Sequence, residues 1–374
     1  METKRLSIKR LMGLAVRLPD SRRKYGNRKH KLADVLAITL IAVVCGKRTW
    51  VDIAWFAKDR CTWFTDVFGL KNGVPSVDTI RRVMGFIPPD ALENIYREWV
   101  LPYIGTCKGK HVSVDGKTVR GVEKAGGDKL HEVSVWVTED GLALGQMSTD
   151  EKSNEITAIP ELLNDLDISG GIVSIDAMGC QKDIAKNILD NKADYILAMK
   201  KNQRNFHEEI EEYFPWAESN KAESRLLKTA DAVDYGHGRR VRWHIVVTHC
   251  VADFPSAKEW AGIQSIIMIV TRRMCKGKES VEKRYYISSL KCSAQDFLRR
   301  IREHWGIENN LHWVLDTQFG EDQCRIHERN AAENLSLLRK IAMALIKNVK
   351  DKSTSYHRIQ EKCLNIPDFI FSMF

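Results

Sequence analysis

The order in which apolar patterns succeed one another from His111 onward restricts the fold more than any single residue does. HVSVDGKTV (His111–Val119) alternates like a strand, and Leu130–Glu139 and Leu142–Thr149 do the same, forming an antiparallel meander. A helical pattern follows over Glu155–Leu166, then a buried-looking strand over Gly171–Met178 and a helix over Gln181–Leu189. A strand over Asp194–Lys201 and a helix over Asn205–Phe214 close the series. Three strands followed by alternating helix and strand call for a central mixed sheet with helices on both faces.

That succession is the order of the ribonuclease H-like fold, an α/β class in which the first and fourth strands are neighbours. Asp115 sits in the first strand and Asp176 ends the fourth, so the order brings the two carboxylates together. Aspartate is disfavoured in strands. Each has a plainer reading as the start of a turn, better for Asp115-Gly116 than for Asp176, which Ala177-Met178 follows. A third acid comes from the helix REHWGIENNLHWVLD. Phe297, Ile301, Trp305, Leu311 and Leu315 mark its inward stripe, and Glu308 lies on that stripe. His304 and His312 stand one turn to either side of it, and Asp316 a turn further on. A buried carboxylate needs a partner, for which a divalent metal is one candidate; a helix whose polar face is phased differently is the other account. Glu303 lies about 140° around the helix from Glu308, so both cannot face inward. Glu321 and Asp322 come after Gly320, where the helix should end.

Three carboxylates suit magnesium, which takes oxygen ligands and keeps several waters. Two such ions serve phosphodiester attack by activating a hydroxyl, stabilising the leaving oxyanion and neutralising the phosphoryl oxygens. His304 and His312 keep a zinc or iron enzyme in view, but there is no H-E-x-x-H motif and no histidine beside Asp115 or Asp176. Lys plus Arg number 58 against 49 Asp plus Glu, a net charge of +9 in 374 residues, which favours a polyanionic partner, most economically nucleic acid. No apolar run reaches the length of a membrane-spanning helix. The basic start, apolar only over Met12–Val16, lacks the cleavage site of a secretory signal. Nine scattered cysteines, with no C-x-x-C pair, speak for a reducing compartment and against a disulfide framework or a structural zinc site.

Residues 1–31 read as a basic arm and residues 32–104 as a helical domain. LADVLAITLIAVVCG stops at Gly46, WVDIAWFAKDR follows, Ser76 N-caps SVDTIRRVMGF, and Pro88-Pro89-Asp90 precedes DALENIYREWV. Short helices with a tight turn ahead of an Arg-bearing one resemble a helix-turn-helix, in which Arg81 and Arg82 would face DNA; a small bundle with solvated arginines is the alternative. Residues 105–204 begin the sheet domain and residues 205–290 read as a β-rich insertion, with strands over 239–250, 265–273 and 283–290. Residues 291–350 complete the domain with the glutamate helix and a following helix, and residues 351–374 carry no usable signal.

The strings HVSVDGKTVRG, STDEKSNEITAIPELL, IVSIDAMGCQKDIAKNI, DYILAMKKNQ, RYYISSL and HWGIENNLHWVLDTQFGEDQCR fall in this order within roughly residues 32–349. Together they resemble the H-repeat-associated transposases, a bacterial insertion-sequence family with DDE chemistry. The resemblance implies a transposase with a ribonuclease H-like catalytic domain that cuts insertion-sequence ends and joins them to target DNA. It implies two magnesium ions per site, or manganese in their place. Carried over by position, Asp115 in VDGK is the first acid, Asp176 in IDAMG the second and Glu308 in HWGIEN the third. One ion would lie between Asp115 and Asp176, the other between Asp115 and Glu308. The broader group has a tyrosine, an arginine and a lysine around this glutamate where this chain has Ile301, His304 and Leu315, so those phosphate-binding roles do not transfer. His304, His312 and Asp316 become supporting residues around the acids. DNA as partner, a homodimer on paired ends, no membrane association and a place in the bacterial cytoplasm beside the nucleoid follow from the same resemblance.

Further DNA contacts are expected at the mouth of the sheet, where Lys200, Lys201, Asn202 and Gln203 end a strand and Lys117 and Arg120 follow Asp115. Comparable transposases carry a β insertion that handles the DNA end. Here YGHGRRVRWH interleaves basic and aromatic residues, with Arg239, Arg240 and Arg242 suited to the backbone and Trp243 to stacking on an exposed base. An ordinary exposed hairpin is the alternative. Two other classes of function stay open: a DNA-binding relative that has lost catalysis, and a host metal-dependent nuclease without strand transfer.

Overall fold

Six helices open the chain: α1 (Ile8–Ala15), α2 (Leu32–Val44), α3 (Trp50–Asp59), α4 (Cys61–Phe68), α5 (Val77–Phe86) and α6 (Pro89–Ile104). They are seen in a computed structural model that describes residues 6–22, 28–149, 154–236 and 239–374. Local chemistry sets their ends. The Thr49 and Ser76 hydroxyls accept the amide protons of Asp52 and Thr79, and Pro89 takes the first turn of α6, where no amide donor is needed. α2 is apolar almost all round and buried along nearly its whole length, as a helix inside a core must be.

The sheet strands are β1 (His111–Thr118), β2 (His131–Val137), β3 (Leu142–Thr149), β4 (Ile172–Ile175), β5 (Asp194–Met199), β6 (Lys228–Gly236), β7 (Arg239–Thr248), β8 (Ser265–Cys275) and β9 (Lys278–Ser288). Between and after them come α7 (Arg120–Lys124), α8 (Glu155–Asn164), α9 (Lys182–Asp190), α10 (Arg204–Ser219), α11 (Ala294–Ile307), α12 (Trp313–Thr317), α13 (Arg329–Val349) and α14 (Tyr356–Asn365). All nine strands form one sheet in the order β3-β2-β1-β4-β5-β9-β8-β7-β6. β1, β4 and β5 are parallel to one another, and every other adjacent pair is antiparallel. The β-rich segment therefore continues the sheet. β9 pairs with β5 from Ile196 opposite Ser288 to Met199 opposite Tyr285, covering backbone groups that an edge strand would leave open.

α8 lies behind β2 and β3 and packs on α9, whereas α11 and α13 cover the face that carries Asp115. One continuous apolar core runs from α2 and α5 through β1 to α13, so residues 32–104 share their interior with the sheet. Asn334 of α13 fastens this join, its amide donating to the carbonyls of Met84 (2.7 Å) and Ile87 (2.8 Å) at the end of α5. Two segments differ from the sequence reading. The arm over 1–31 contains α1, whose Ile8, Leu11 and Ala15 are buried and whose preceding Ser7 carbonyl accepts from Trp99. The last residues form α14 and a final turn that buries Ile370 and Met373. Both are short amphipathic pieces whose apolar residues gain a partner only from distant helices. Among the described residues no helix is long and apolar enough to cross a membrane.

Candidate active site

Val114 of β1 lies opposite Ile175 of β4 in parallel register, so Asp115 and Asp176 leave the same end of adjacent strands. Neighbouring strands lie about 4.8 Å apart, and this is the carboxyl end of the parallel strands, where α/β sheets receive ligands. Asp115 does not start a turn: it and Gly116 stay in the ladder, opposite Ser134 and Val133 of β2. Gly116 is required for another reason, since a Cβ there would collide with the buried His131–Glu155 pair behind the strand. Asp176 does begin a turn. Its Oδ1 accepts from the amides of Met178 (3.0 Å) and Gly179 (3.4 Å), and its second oxygen has no hydrogen-bond partner among the described residues.

The column of residues 304, 308, 312 and 316 faces this strand end. His304 Nδ1 lies 2.7 Å from Ser174 Oγ in β4, His312 Nδ1 lies 3.3 Å from Asp115, and Asp316 is paired with Lys117 of β1. Two of these ties form rungs. Asp115 and Lys117 are two apart on a strand, roughly 6.7 Å, while His312 and Asp316 are four apart on a helix, about 6 Å, so the spacings match. Glu308 is exposed, which corrects its placing on the inward stripe. Residues 308–312 form a π-helical turn, where Leu311 stays buried as the stripe expects and Ile307 is buried beside it.

A cleft of about 290 Å³ opens here, with Asp176, Lys200, Arg284, His304, Trp305 and Glu308 among its walls. Its electrostatics are those of crowded acids. Partial burial, then the charge of Asp115 and more weakly that of Asp176, push the Glu308 carboxyl above its usual range, against His312 and Arg284. Burial holds His304 down to about 4 although Asp115 pulls the other way, so the ring is neutral at physiological pH. Among the described residues no three His, Cys, Asp or Glu side chains are grouped so as to hold one ion. Asp115 is turned onto His312, and Glu308 stands at the rim. The structure thus unites Asp115 with Asp176 and brings Glu308 to the same cleft without closing the set.

A buried charged network lies beneath. Lys117 pairs with Asp316 and, at 2.6 Å, with Glu321, which also faces Arg339 (3.5 Å) and lies 3.0 Å from the Ser336 hydroxyl of α13, whose one proton it shares with Glu132. Glu132 of β2 accepts from Ser336 (2.7 Å) and Lys340 (3.2 Å). Burial alone would raise the Glu321 carboxyl, but Lys117, then Arg339 and Lys340, overcome it and hold it down to about 2.

This packing revises several expected DNA contacts. Lys117 is committed to Asp316 and Glu321, and Asp316 serves Lys117 rather than the acids. The Asn202 and Gln203 amides donate to the carbonyls of Ala177 (2.7 Å) and Cys180 (3.0 Å), bracing the turn after Asp176. Trp243 is buried, donating to Asp234 and packed on Trp305 with ring centroids 4.8 Å apart, so it is not free to stack on a base. Arg81, Arg82, Arg120, Lys200, Lys201, Arg239, Arg240 and Arg242 are exposed. Ser174, His111 and Glu321 were overlooked. The one signal within reach was chemical, a histidine and a serine among the apolar residues of strands that otherwise bury valine and isoleucine.

Sequence comparisons give the relatives. Residues 16–100 match the family described as DDE_Tnp_1-associated, and residues 106–345 match the one described as Transposase DDE domain. "Putative transposase YncI" of Escherichia coli O157:H7 is 41% identical over 96% of this chain and 92% of its own length. "H repeat-associated putative transposase YhhI" of Escherichia coli K12 is 36% identical over 98% of each. The cryo-EM structure of the piggyBac transposase synaptic complex with hairpin DNA aligns with a TM-score of 0.42 and 11% identity, covering 96% of this chain and 76% of that one, a likeness too distant to place any residue.

Proposed function

The chain belongs to the DDE-domain transposases, and we propose that it cuts DNA at the ends of an insertion sequence and joins them to target DNA, with Asp115, Asp176 and Glu308 as the acids. The observation that carries the reading is topological. The order β3-β2-β1-β4-β5, with β2 antiparallel, supports a ribonuclease H-like reading of the sheet, and the parallel register of Val114 with Ile175 supports pairing Asp115 with Asp176 at the ligand-binding end. An all-oxygen donor set crowded enough to raise Glu308 fits a hard divalent cation, magnesium or manganese. Asp115 and Asp176 would hold one ion, and Asp115 and Glu308 a second. Such ions, when bound, supply activation of the attacking oxygen and neutralisation of the leaving one.

The chain's own groups orient the substrate. Lys200 and Arg284 bring positive charge to the cleft, and Arg284 is held over Trp305, 5.0 Å from its ring, and against Glu282 at 2.8 Å. Beyond the cleft, Arg240 and Arg242 alternate onto one face of β7, with Arg272 opposite Arg242 and Arg240 lying 5.6 Å over the exposed Tyr235 ring. In this reading Tyr235 takes the stacking role that burial denies Trp243. Tyr235→Ala and Arg240→Ala should each weaken binding of an end fragment about 5- to 10-fold, the low end of one base stack. Trp243→Phe should leave binding unchanged; fluorescence anisotropy reads all three. A pair of copies on paired ends belongs to the same proposal.

Incubating the protein with labelled end fragments, a plasmid target and Mg²⁺ tests it. Joined products are required. Cleavage without joining would reduce the chain to a nuclease, and binding in EDTA with no cleavage in Mg²⁺ or Mn²⁺ would leave only a DNA-binding protein.

A further inference from the structure

Ser174 of β4 sits between two histidines. Its Oγ lies 2.7 Å from His111 Nε2 in β1 and 2.7 Å from His304 Nδ1 in α11. At the far end Glu303 Oε2 lies 3.6 Å from His111 Nδ1, an electrostatic contact longer than a hydrogen bond, and His111 Nδ1 has no hydrogen-bond partner among the described residues. His111 and Ser174 are only 0% and 3% exposed, so water does not compete for the two hydrogen bonds at Ser174. The result is a single chain of polar groups, Glu303–His111–Ser174–His304, ending at the cleft shared with Asp176 and Glu308. His304 Nε2 has no hydrogen-bond partner among the described residues, so the cleft end of the chain is open.

The direction of the protons follows from the carboxylate. A hydroxyl has one proton, so Ser174 can donate to only one of the two histidines, and where it does so it is left to accept from the other. The Glu303 carboxylate, 3.6 Å from His111 Nδ1 and held below the usual range, offers only lone pairs, so its charge favours the His111 tautomer whose Nδ1 proton faces it. The other nitrogen of a neutral ring is then a lone pair, to which Ser174 donates, and Ser174 Oγ accepts the Nδ1 proton of His304. We propose that Glu303, His111 and Ser174 are positioning residues that fix the tautomer of His304, leaving a bare Nε2 to accept a hydrogen bond from the attacking hydroxyl in the cleft. The identity of that hydroxyl, water or a DNA 3′ end, rests on the transposase reading; the tautomer does not.

Nitrogen NMR of the full chain labelled with ¹⁵N-histidine reads the tautomer without DNA, with His304 assigned by its loss in His304→Gln. The expected spectrum has His304 protonated at Nδ1 and bare at Nε2. Ser174→Ala should return it to the Nε2-protonated form, and so should Glu303→Met, which keeps the buried serine should the first variant fold poorly. In cleavage assays Ser174→Ala should lower kcat about 10- to 100-fold, as loss of an orienting partner does, at unchanged KM for DNA. Ser174→Thr, which keeps the hydroxyl, should restore it. An Nε2-protonated His304 in the wild type, the pattern an imidazolium at His111 would impose, overturns the proposal, as does a tautomer indifferent to both variants. Should the tautomer hold in a wild type that cuts no DNA, the relay stands and the transposase reading falls.

Discussion

Asp176→Asn should abolish strand cleavage at an element end, slowing it by at least ~1000-fold, while folding and DNA binding survive. The substitution removes one negative charge and almost nothing else. An asparagine Oδ1 still accepts from the Met178 and Gly179 amides, so the turn after β4 keeps its two hydrogen bonds. What is lost is a hard anionic ligand at the point where the sheet brings two carboxylates together, and such charge is worth several kcal/mol in a transition state. At about 1.4 kcal/mol per factor of ten, that is three or more orders of magnitude. Cleavage of a labelled end fragment in Mg²⁺, run beside a thermal melt, measures both halves. Asp176→Ala separates the roles further, because it should match the catalytic loss and also lower the melting temperature through the broken turn. A near-normal rate in Asp176→Asn would remove Asp176 from the chemistry.

The adjacency of Asp115 and Asp176 at one end of β1 and β4 was legible because strand order is written in periodicity, and register then follows from parallel pairing. Glu308 was reached by a route that the molecule does not take. The apolar stripe holds at Leu311 and Leu315, but at the π turn over 308–312 Glu308 stands at the rim and Ile307, off the stripe, is buried. A straight-helix period cannot anticipate an inserted residue. β6 was missed for the opposite reason: KTADAVDYG is exposed along most of its length and has too little apolar alternation to announce a strand. The polar network was out of reach altogether. Lys117 and Glu132 look like surface residues until Glu321 and then α13, with Ser336, Arg339 and Lys340 on its inner face, return some two hundred positions later. The expected DNA contacts at Lys117, Asn202 and Gln203 share that origin, for each reads as part of a polar strand end, yet each is bonded to another part of the protein.

The same network sets the largest stability effect. Lys117→Met should destabilise the fold by about 3–5 kcal/mol at neutral pH, the usual result of removing one partner from a buried pair. Lys117 is the cation shared by Asp316 and Glu321, and without it Glu321, fully buried, keeps only the longer 3.5 Å approach of Arg339 as an ion pair. The pH dependence carries a definite sign. In the wild type the Glu321 carboxyl is held down to about 2, below its unfolded value near 4.3, so its contribution is complete above that value. It is lost as pH falls from about 4.3 toward 2. In the variant burial prevails and the folded carboxyl rises, so acid relieves the penalty, and the gap to wild type should narrow from pH 7 to pH 4. Urea denaturation at the two pH values reads this directly. A loss under about 1 kcal/mol at pH 7, the scale of an exposed pair, would mean that water reaches Lys117. The lower rung that docks α12 on β1 would then be too weak to hold His312 against Asp115, and the placing of Glu308 over the cleft would need another support.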